Sequence, residues 1–351
     1  MKKITHHPFV IRLFNWEYWP FEALYVWALP ALVFFWIRAR SFFFFTASNP
    51  SIKNGGLIGE SKKDIHDILP EDMYPKTVHF PVGTPVENVL AGIASKGLTY
   101  PVVGKPDIGG RGRGVKILRS EEELEAYAKR ATLDYHIQAY VEYPNEVGIF
   151  YYRYPDQEKG KLTGIVSKKF LTVTGNGKDT LHTIMKNDKR SIMYLSALEK
   201  LNSDKLNTIP AEGEEVMLSQ IGNHARGSKF LDRSGWIDDQ LTETIDKLSK
   251  RIEGFYFGRF DVRYDTLEAL KRGEKFMVLE LNGAGAEPTH MYDPDHSVFF
   301  AVKEIIRHWN ILEKVSRMNH KRGVPYPSFS EGVKIFTQDK EDSRKLDEMT
   351  D

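Results

Sequence analysis

The 351-residue chain contains no cysteine. That absence excludes disulfide frameworks, zinc ribbons, iron–sulfur centres and thiol nucleophiles together. An excess of either charge is also lacking, with 49 Lys and Arg against 48 Asp and Glu and a formal net charge of +1. General nucleic-acid binding needs a surplus of cations over the domain or one face, so no nucleic-acid partner is expected. No internal repeat is found. No Gly is followed four residues on by Gly-Lys-Ser/Thr, so a P-loop is ruled out. What remains is the balance of an ordinary folded protein, 41% apolar and 28% charged, long enough for about two domains.

Aromatic residues make up 12% of the chain, and much of that excess sits in its first 45 positions. Residues 18–37 read YWPFEALYVWALPALVFFWI, with Glu22 the only charge; Arg38, Arg40 and the run SFFFF follow. About 20 apolar residues suffice to cross a bilayer. Pro20 and Pro30 interrupt the helix ladder, and Trp16, Trp19, Trp27 and Trp36 are spread along the run rather than gathered at its ends. No small-residue cleavage site follows, against a secretory signal. The preferred reading is an aromatic-rich helix lying in the membrane interface or packed on the protein. A true span and a dimerisation helix in a homodimer are the alternatives. On insertion, Arg38 and Arg40 would keep the following chain cytoplasmic. The expected location is therefore the cytoplasm, with the inner face of the cytoplasmic membrane as its variant.

Beyond residue 49 the chain turns polar and Gly-rich (NPSIKNGGLIGESK), a loop signature. A short helix is expected over 63–69, an extended stretch over 77–81, and a strand over 100–105 with a hairpin partner over 115–118. Ser120 caps a helix running to about Arg130, with glutamates in its first turn. Strands follow over 135–141, 147–154 and, as one long element, 162–173. TGNGKDT (174–180) is a turn delivering the next helix. Ile237, Leu241, Ile245, Leu248 and Ile252 repeat at helical spacing. Strands over 255–264 and 275–281 precede a long helix over 295–318. The acidic tail from Glu331 is expected to be mobile. This order predicts an α+β protein with mostly antiparallel sheets.

Two stretches carry chemistry. In YPVVGKPDIGGRGRGVKIL (100–118), Lys105 ends an apolar strand and Gly109, Gly110, Gly112 and Gly114 form a hairpin tip. Such a tip can close backbone N–H groups over phosphates, helped by Arg111 and Arg113. Its bland alternative is a Gly- and Arg-rich surface hairpin. A dinucleotide fingerprint would need Gly at 115, where Val115 stands. In FYFGRFDVRYD (255–265), alternation puts Arg259, Asp261 and Arg263 on one strand face; in KFMVLELN (275–282), Glu280 and Asn282 share a face. If the strands are neighbours, Asp261, Glu280 and Asn282 converge as hard oxygen donors suited to Mg²⁺. The alternative is that the arginines merely pair with the acids on a solvated sheet face. The metal reading is preferred because strands this apolar on their other face are usually central, where uncompensated charge is costly.

In this order the motifs resemble the ATP-grasp superfamily over about residues 54–292, in the style of D-alanine–D-alanine ligase-like and cyanophycin-synthetase-like members. The amino-terminal domain of D-alanine–D-alanine ligases has no counterpart; the aromatic segment stands in its place. The resemblance implies two α+β subdomains gripping ATP, divided as 1–47 (aromatic segment), 48–99 (preceding region), 100–142 (small subdomain), 143–325 (metal-bearing subdomain) and 326–351 (tail). It implies phosphate contacts from Lys105, Gly110, Arg111, Gly112 and Gly114, with Lys62 as an earlier nucleotide lysine. Adenine would meet the backbone of 138–141, including Gln138, Tyr140 and Val141. Glu146 would reach the ribose, with Glu142 as runner-up. On this resemblance Arg259 would act with Lys105 in catalysis, and Asp261, Glu280 and Asn282 would hold Mg²⁺ or, in its place, Mn²⁺.

The implied reaction is ADP-forming ligation of a carboxylate to an amine through an acyl phosphate, on small-molecule or peptide-like substrates. The alternatives are an ATP-grasp phosphotransferase or nucleotide binder without ligation, and a membrane-associated interaction protein on a degenerate fold. His224 and Arg226 in SQIGNHARGSKF, Arg263, and His290 in EPTHMYDP are the candidate substrate contacts. His224 and Arg226 stand equally as plain loop residues, and His290 as a structural histidine. Of Lys168 and Lys169, alternation allows only one to point inward.

Overall fold

The computed structural model describes residues 7–110, 112–219 and 227–350. Arg111, His224 and Arg226 therefore lie outside the described residues. The helices are α1 (Pro8–Phe14), α2 (Phe21–Ala39), α3 (Lys62–Ile68), α4 (Val86–Ser95), α5 (Glu121–Arg130), α6 (Leu181–Asn187), α7 (Leu195–Leu201), α8 (Asp239–Lys250), α9 (Leu267–Lys271), α10 (Val298–Lys321) and α11 (Phe329–Thr350). The strands are β1 (Thr77–Phe80), β2 (Val102–Pro106), β3 (Lys116–Leu118), β4 (Tyr135–Ala139), β5 (Asn145–Tyr152), β6 (Lys161–Lys169), β7 (Thr172–Thr174), β8 (Glu215–Met217), β9 (Lys229–Asp232), β10 (Phe257–Tyr264) and β11 (Phe276–Asn282).

Among the described residues every strand pairing is antiparallel, where the sequence predicts mostly antiparallel sheets. The first sheet has the order β1-β4-β2-β3 and the second β11-β10-β5-β6-β9; β7 and β8 form a small third one. In the first sheet, Val102, Tyr135 and Ile137 are buried with Val89 and Ile93 of α4 and Leu124 and Tyr127 of α5. Its other face carries Lys105, His136 and His79, which lie opposite one another in register. Asp107, just past β2, accepts hydrogen bonds from Ser61 Oγ, Lys63 N and His136 Nε2, and so ties the start of α3 to this sheet.

The second sheet is covered on both sides. Ile149, Tyr151, Phe260 and Val262 pack with Leu241, Ile245 and Leu248 of α8. On the opposite face, Phe150, Val166 and Phe257 share a core with α10 and α2. In α2 the buried stripe is Leu24, Ala28, Leu32, Phe35 and Ala39, and Arg38 ion-pairs with buried Glu313 of α10. The aromatic helix is thus packed on the protein along one face. Val26, Trp27, Phe34 and Ile37 stay exposed on the other. Among the described residues α2 is the one helix long and apolar enough to cross a membrane.

Two sequence expectations are corrected, and one helix is added that the sequence reading did not include. The strand expected over 162–173 divides after Lys169, because Leu171 and Val173 join a separate core with Leu181, Met185 and Leu198. An unforeseen helix, α4, buries Val89 and Ile93. The tail expected to be mobile is the helix α11, whose Leu346 is buried. Asp339 Oδ1 accepts a 3.1 Å hydrogen bond from Gly59 N, and Lys345 O accepts one of 2.7 Å from Thr132 Oγ1. Phe336 meets Phe43 and Phe45 of the aromatic segment.

Candidate active site

Asp261 lies directly opposite Glu280 and Arg259 opposite Asn282 on the paired β10 and β11. The intervening Phe260 and Leu281 are buried in the core, so strand alternation sends these four polar side chains to the opposite face. A bulge follows Asp261, whose next partner step skips from Glu280 to Val278. On the other side Asp261 is in register with Gly148 of β5. A Cβ at Gly148 would lie 3.1 Å from Asp261 Oδ1 and 3.1 Å from Arg259 Cδ. Glycine there leaves room for the charged cluster.

Arg259 donates to Asp261 through Nε at 2.7 Å and to Glu287 O at 3.1 Å. Lys168 of β6 bridges Glu146 at 2.7 Å and Asp261 at 3.1 Å. It is thus Lys168 that turns inward, while Lys169 is exposed. Burial alone would raise the Asp261 pKa, but Arg259 and Lys168 outweigh it and hold the carboxyl well below its usual range. Burial likewise opposes the charge on Lys168, and Asp261 and Glu146 overcome that. Arg263 lies 3.7 Å from Glu146, donates to Val141 O at 2.6 Å and stacks over Tyr140.

Lys105 reaches across from the first sheet. Its Nζ donates to Gln138 Oε1 at 2.6 Å and lies 3.5 Å from Leu279 O in β11. Burial, against the pull of Glu280, pushes its pKa down to about 8. Lys62 donates to Gly109 O at 2.8 Å and so holds the glycine loop from below.

Glu60 was not anticipated. Asn49 pins the polar stretch to β10 by donating to Gly55 O and Phe257 O and accepting from Tyr256 N and Phe257 N. Gly55 and Gly56 then run alongside Gly283, accepting from Ala284 N and Gly285 N at 2.9 and 2.7 Å. This delivers Glu60 beside Glu280. Burial, then the Glu280 charge, pushes its pKa up to about 8. Among the described residues, Glu60 Oε1 and Asn282 Nδ2 are buried polar atoms without a hydrogen-bond partner. Nothing in local periodicity marks Glu60, since a contact between residues over 200 positions apart places it.

These groups line one continuous cavity of about 1470 Å³, as do Gly110, Gly112, Tyr140 and Val141. Other expected residues fall elsewhere. Gly114 packs under Pro106 and Leu346. Glu142 is exposed and off the cavity wall. His290 is off it too: it is buried, 3.0 Å from Glu304 and beside His308, which corrects its reading as a substrate contact.

No family model matches the chain, and no curated protein matches it. Solved structures similar to it include a bifunctional glutathione synthetase from Pasteurella multocida, at 17% identity and a TM-score of 0.35, covering 66% of this chain and 33% of that one. The VanG D-Ala:D-Ser ligase from Enterococcus faecalis matches at 15% identity and 0.41, covering 74% and 61%. A D-alanine–D-alanine ligase from Bacillus anthracis matches at 13% and 0.41, covering 75% and 69%. The chain thus spans about a third and three fifths of the lengths of the first two. Likenesses this distant leave the function to the geometry of the cleft.

Proposed function

We propose that the protein is an ATP-grasp ligase, joining a carboxylate to an amine with release of ADP and phosphate. The observation that carries this reading is the meeting of Lys105, from one antiparallel sheet, with Arg259, Asp261, Glu280 and Asn282, from another, at the wall of one cavity. Cations and hard oxygen donors on facing sheets are what a triphosphate with a divalent metal needs. The donor set fits Mg²⁺: Glu280, Asn282 and Asp261 would hold it, and the unpaired Glu60 oxygen adds a fourth. Bound there, Mg²⁺ neutralises phosphate charge during transfer.

The chain's own groups do the rest. A carboxylate oxygen must form its bond to the γ-phosphorus, with ADP leaving, against like charge. Lys105, Lys168 and Arg259 offset that repulsion, and backbone N–H groups of the glycine loop add to them. The amine then attacks the acyl carbon, phosphate leaves with the bonding pair, and the nitrogen gives up a proton. Closure of the loop would keep water from the acyl phosphate. No covalent nucleophile is required, in keeping with the lack of cysteine.

The test is ADP release from Mg-ATP with mixed carboxylates and amines, with products read by mass spectrometry. An amide formed one-to-one with ADP is expected. ADP or phosphorylated product without an amide would point instead to phosphoryl transfer alone.

A further inference from the structure

The cavity is larger than a nucleotide site needs and has two chemistries. Ligand pockets commonly measure about 300–1,000 Å³, and this one is about 1470 Å³. Its charged end is the cluster just described. From there it continues into a chamber walled by Tyr25, Leu32 and Trp36 of α2, Phe43 of the following turn, Trp309 of α10 and Phe336 of α11. The aromatic segment and the tail helix therefore extend the site rather than merely flank it.

We infer that this chamber is a substrate subsite for a carboxylate carrying a long, unbranched apolar chain. The head group would lie by Lys168 and Arg259, and the tail would run between α2 and α11. This rests on the ligase reading for its chemistry and on the chamber for its specificity. Three features argue for such an occupant. The chamber is continuous with the cationic cluster, so one molecule can touch both. Between α2 and α11 its wall is mainly aromatic and aliphatic, with Glu22, Asp339 and Asp342 as the charged exceptions on those two helices. A polar peptide chain there would lose most of its hydrogen bonds to water without replacement. At about 1470 Å³ the cavity exceeds the usual range for one ligand, which leaves room for a second.

The experiment uses the full chain and two separable readouts. Tryptophan fluorescence is titrated with dibromododecanoate, whose bromines would quench Trp36 and Trp309 on the chamber wall. Separately, hydroxylamine serves as the amine with Mg-ATP, and hydroxamate is measured for acetate, octanoate, decanoate and dodecanoate. Saturable quenching is expected, with a rise in melting temperature. The half-saturating concentration of the unbrominated acids should fall about fourfold per added methylene. Dodecanoyl hydroxamate should form, with little from acetate. Tyr25→Glu should raise the half-quenching concentration at least tenfold, and Tyr25→Phe should not.

Absence of saturable quenching, or a lowered melting temperature from detergent action, overturns the subsite. Hydroxamate from short acids alone would also overturn it while leaving the ligase reading intact. Saturable quenching with no hydroxamate from any acid would uphold the chamber as a binding site and overturn the ligase reading.

Discussion

Leu346 sits directly on Gly109: a Cβ placed on that glycine would lie 2.2 Å from Leu346 Cδ2. Gly109 has a φ of +111°, and Gly114, at +67°, would bring its own Cβ within 3.6 Å of Leu346 Cδ1. Both glycines are needed for backbone conformation and for the close approach of the helix. The same helix touches the Gly-rich segment at Gly59 and the aromatic segment at Phe43. One element therefore clasps three parts of the cavity wall.

Leu346→Ser should detach the end of α11 from the glycine loop. Removing a buried leucine costs about 2–5 kcal/mol where the site cannot collapse, and here that loss would appear mainly as local opening. Cleavage by trypsin after Arg113 is expected to speed up at least tenfold, with a small fall in melting temperature. Equal cleavage rates in the two proteins would show that the contact does not restrain the loop.

Glu280→Gln keeps the shape of the side chain and removes the charge opposite Asp261. We expect Mg²⁺-dependent ATP turnover to fall at least about a hundredfold, with the circular dichroism spectrum unchanged. Turnover near that of the wild type would remove Glu280 from the metal site.

Lys105→Ala removes a cation that spans the two sheets. A hydrogen bond to a charged group contributes about 1.5–3 kcal/mol, so nucleotide affinity should weaken by about 10- to 100-fold. Isothermal titration with a non-hydrolysable ATP analogue measures this directly. An unchanged dissociation constant would place the phosphates elsewhere.

Strand alternation is enough to put Arg259, Asp261 and Arg263 on one face, because Phe260 and Val262 between them have to enter the core. The hairpin after Lys105 was equally legible from its valines and glycines. Glu60 was not, since its position depends on Asn49 bonding to Phe257, a contact that no local pattern encodes. The tail misled for a different reason. Its large apolar residues are spread through an acidic stretch: Leu346 buries against the glycine loop, while Phe336 meets Phe43 and Phe45 and stays partly exposed. Leu171 and Val173 continue the alternation of β6, and only the presence of a second core reveals that the strand has ended.

Asn49→Ala tests that long-range anchor. Four hydrogen bonds to backbone groups would be lost in a fully buried place. Buried polar groups left unsatisfied cost about 1–3 kcal/mol each, though relaxation would recover part. A loss of about 3 kcal/mol in urea unfolding is expected, together with reduced Mg²⁺-dependent turnover because Glu60 and Gly56 lose their seat. A stability change under about 1 kcal/mol would show that the segment is held by its other contacts.

Acid should weaken the fold well before the carboxylates titrate. Burial pushes His66 down to about 3, helped by the nearby His136, Lys105 and Lys62. His308 is pushed down to about 3 by burial and by Arg307, and burial also lowers His136 despite its bond to Asp107. Neutral His308 is fully satisfied, with Nδ1 donating to Glu304 O at 2.8 Å and Nε2 accepting from Thr163 Oγ1 at 2.9 Å. All three folded values lie below that of the unfolded chain, near 6.5. As pH falls through about 6.5 the unfolded state takes up protons that the folded state refuses, so stability declines from there toward pH 3. Each histidine that stays neutral contributes a slope of about 1.4 kcal/mol per pH unit. Asp107 and Glu304 act in a second window: both are held at about 2 by their partners in spite of burial, so their contribution is intact above pH 4 and disappears below it. Glu60, held at about 8 when folded, works the other way between about pH 4.5 and 8. Urea midpoints should therefore rise slightly from pH 8 to 7 and then, as the histidines outnumber it, fall between pH 6.5 and 4.5. His308→Gln should flatten that decline. A midpoint independent of pH across the same range would mean that these histidines protonate freely in the folded protein.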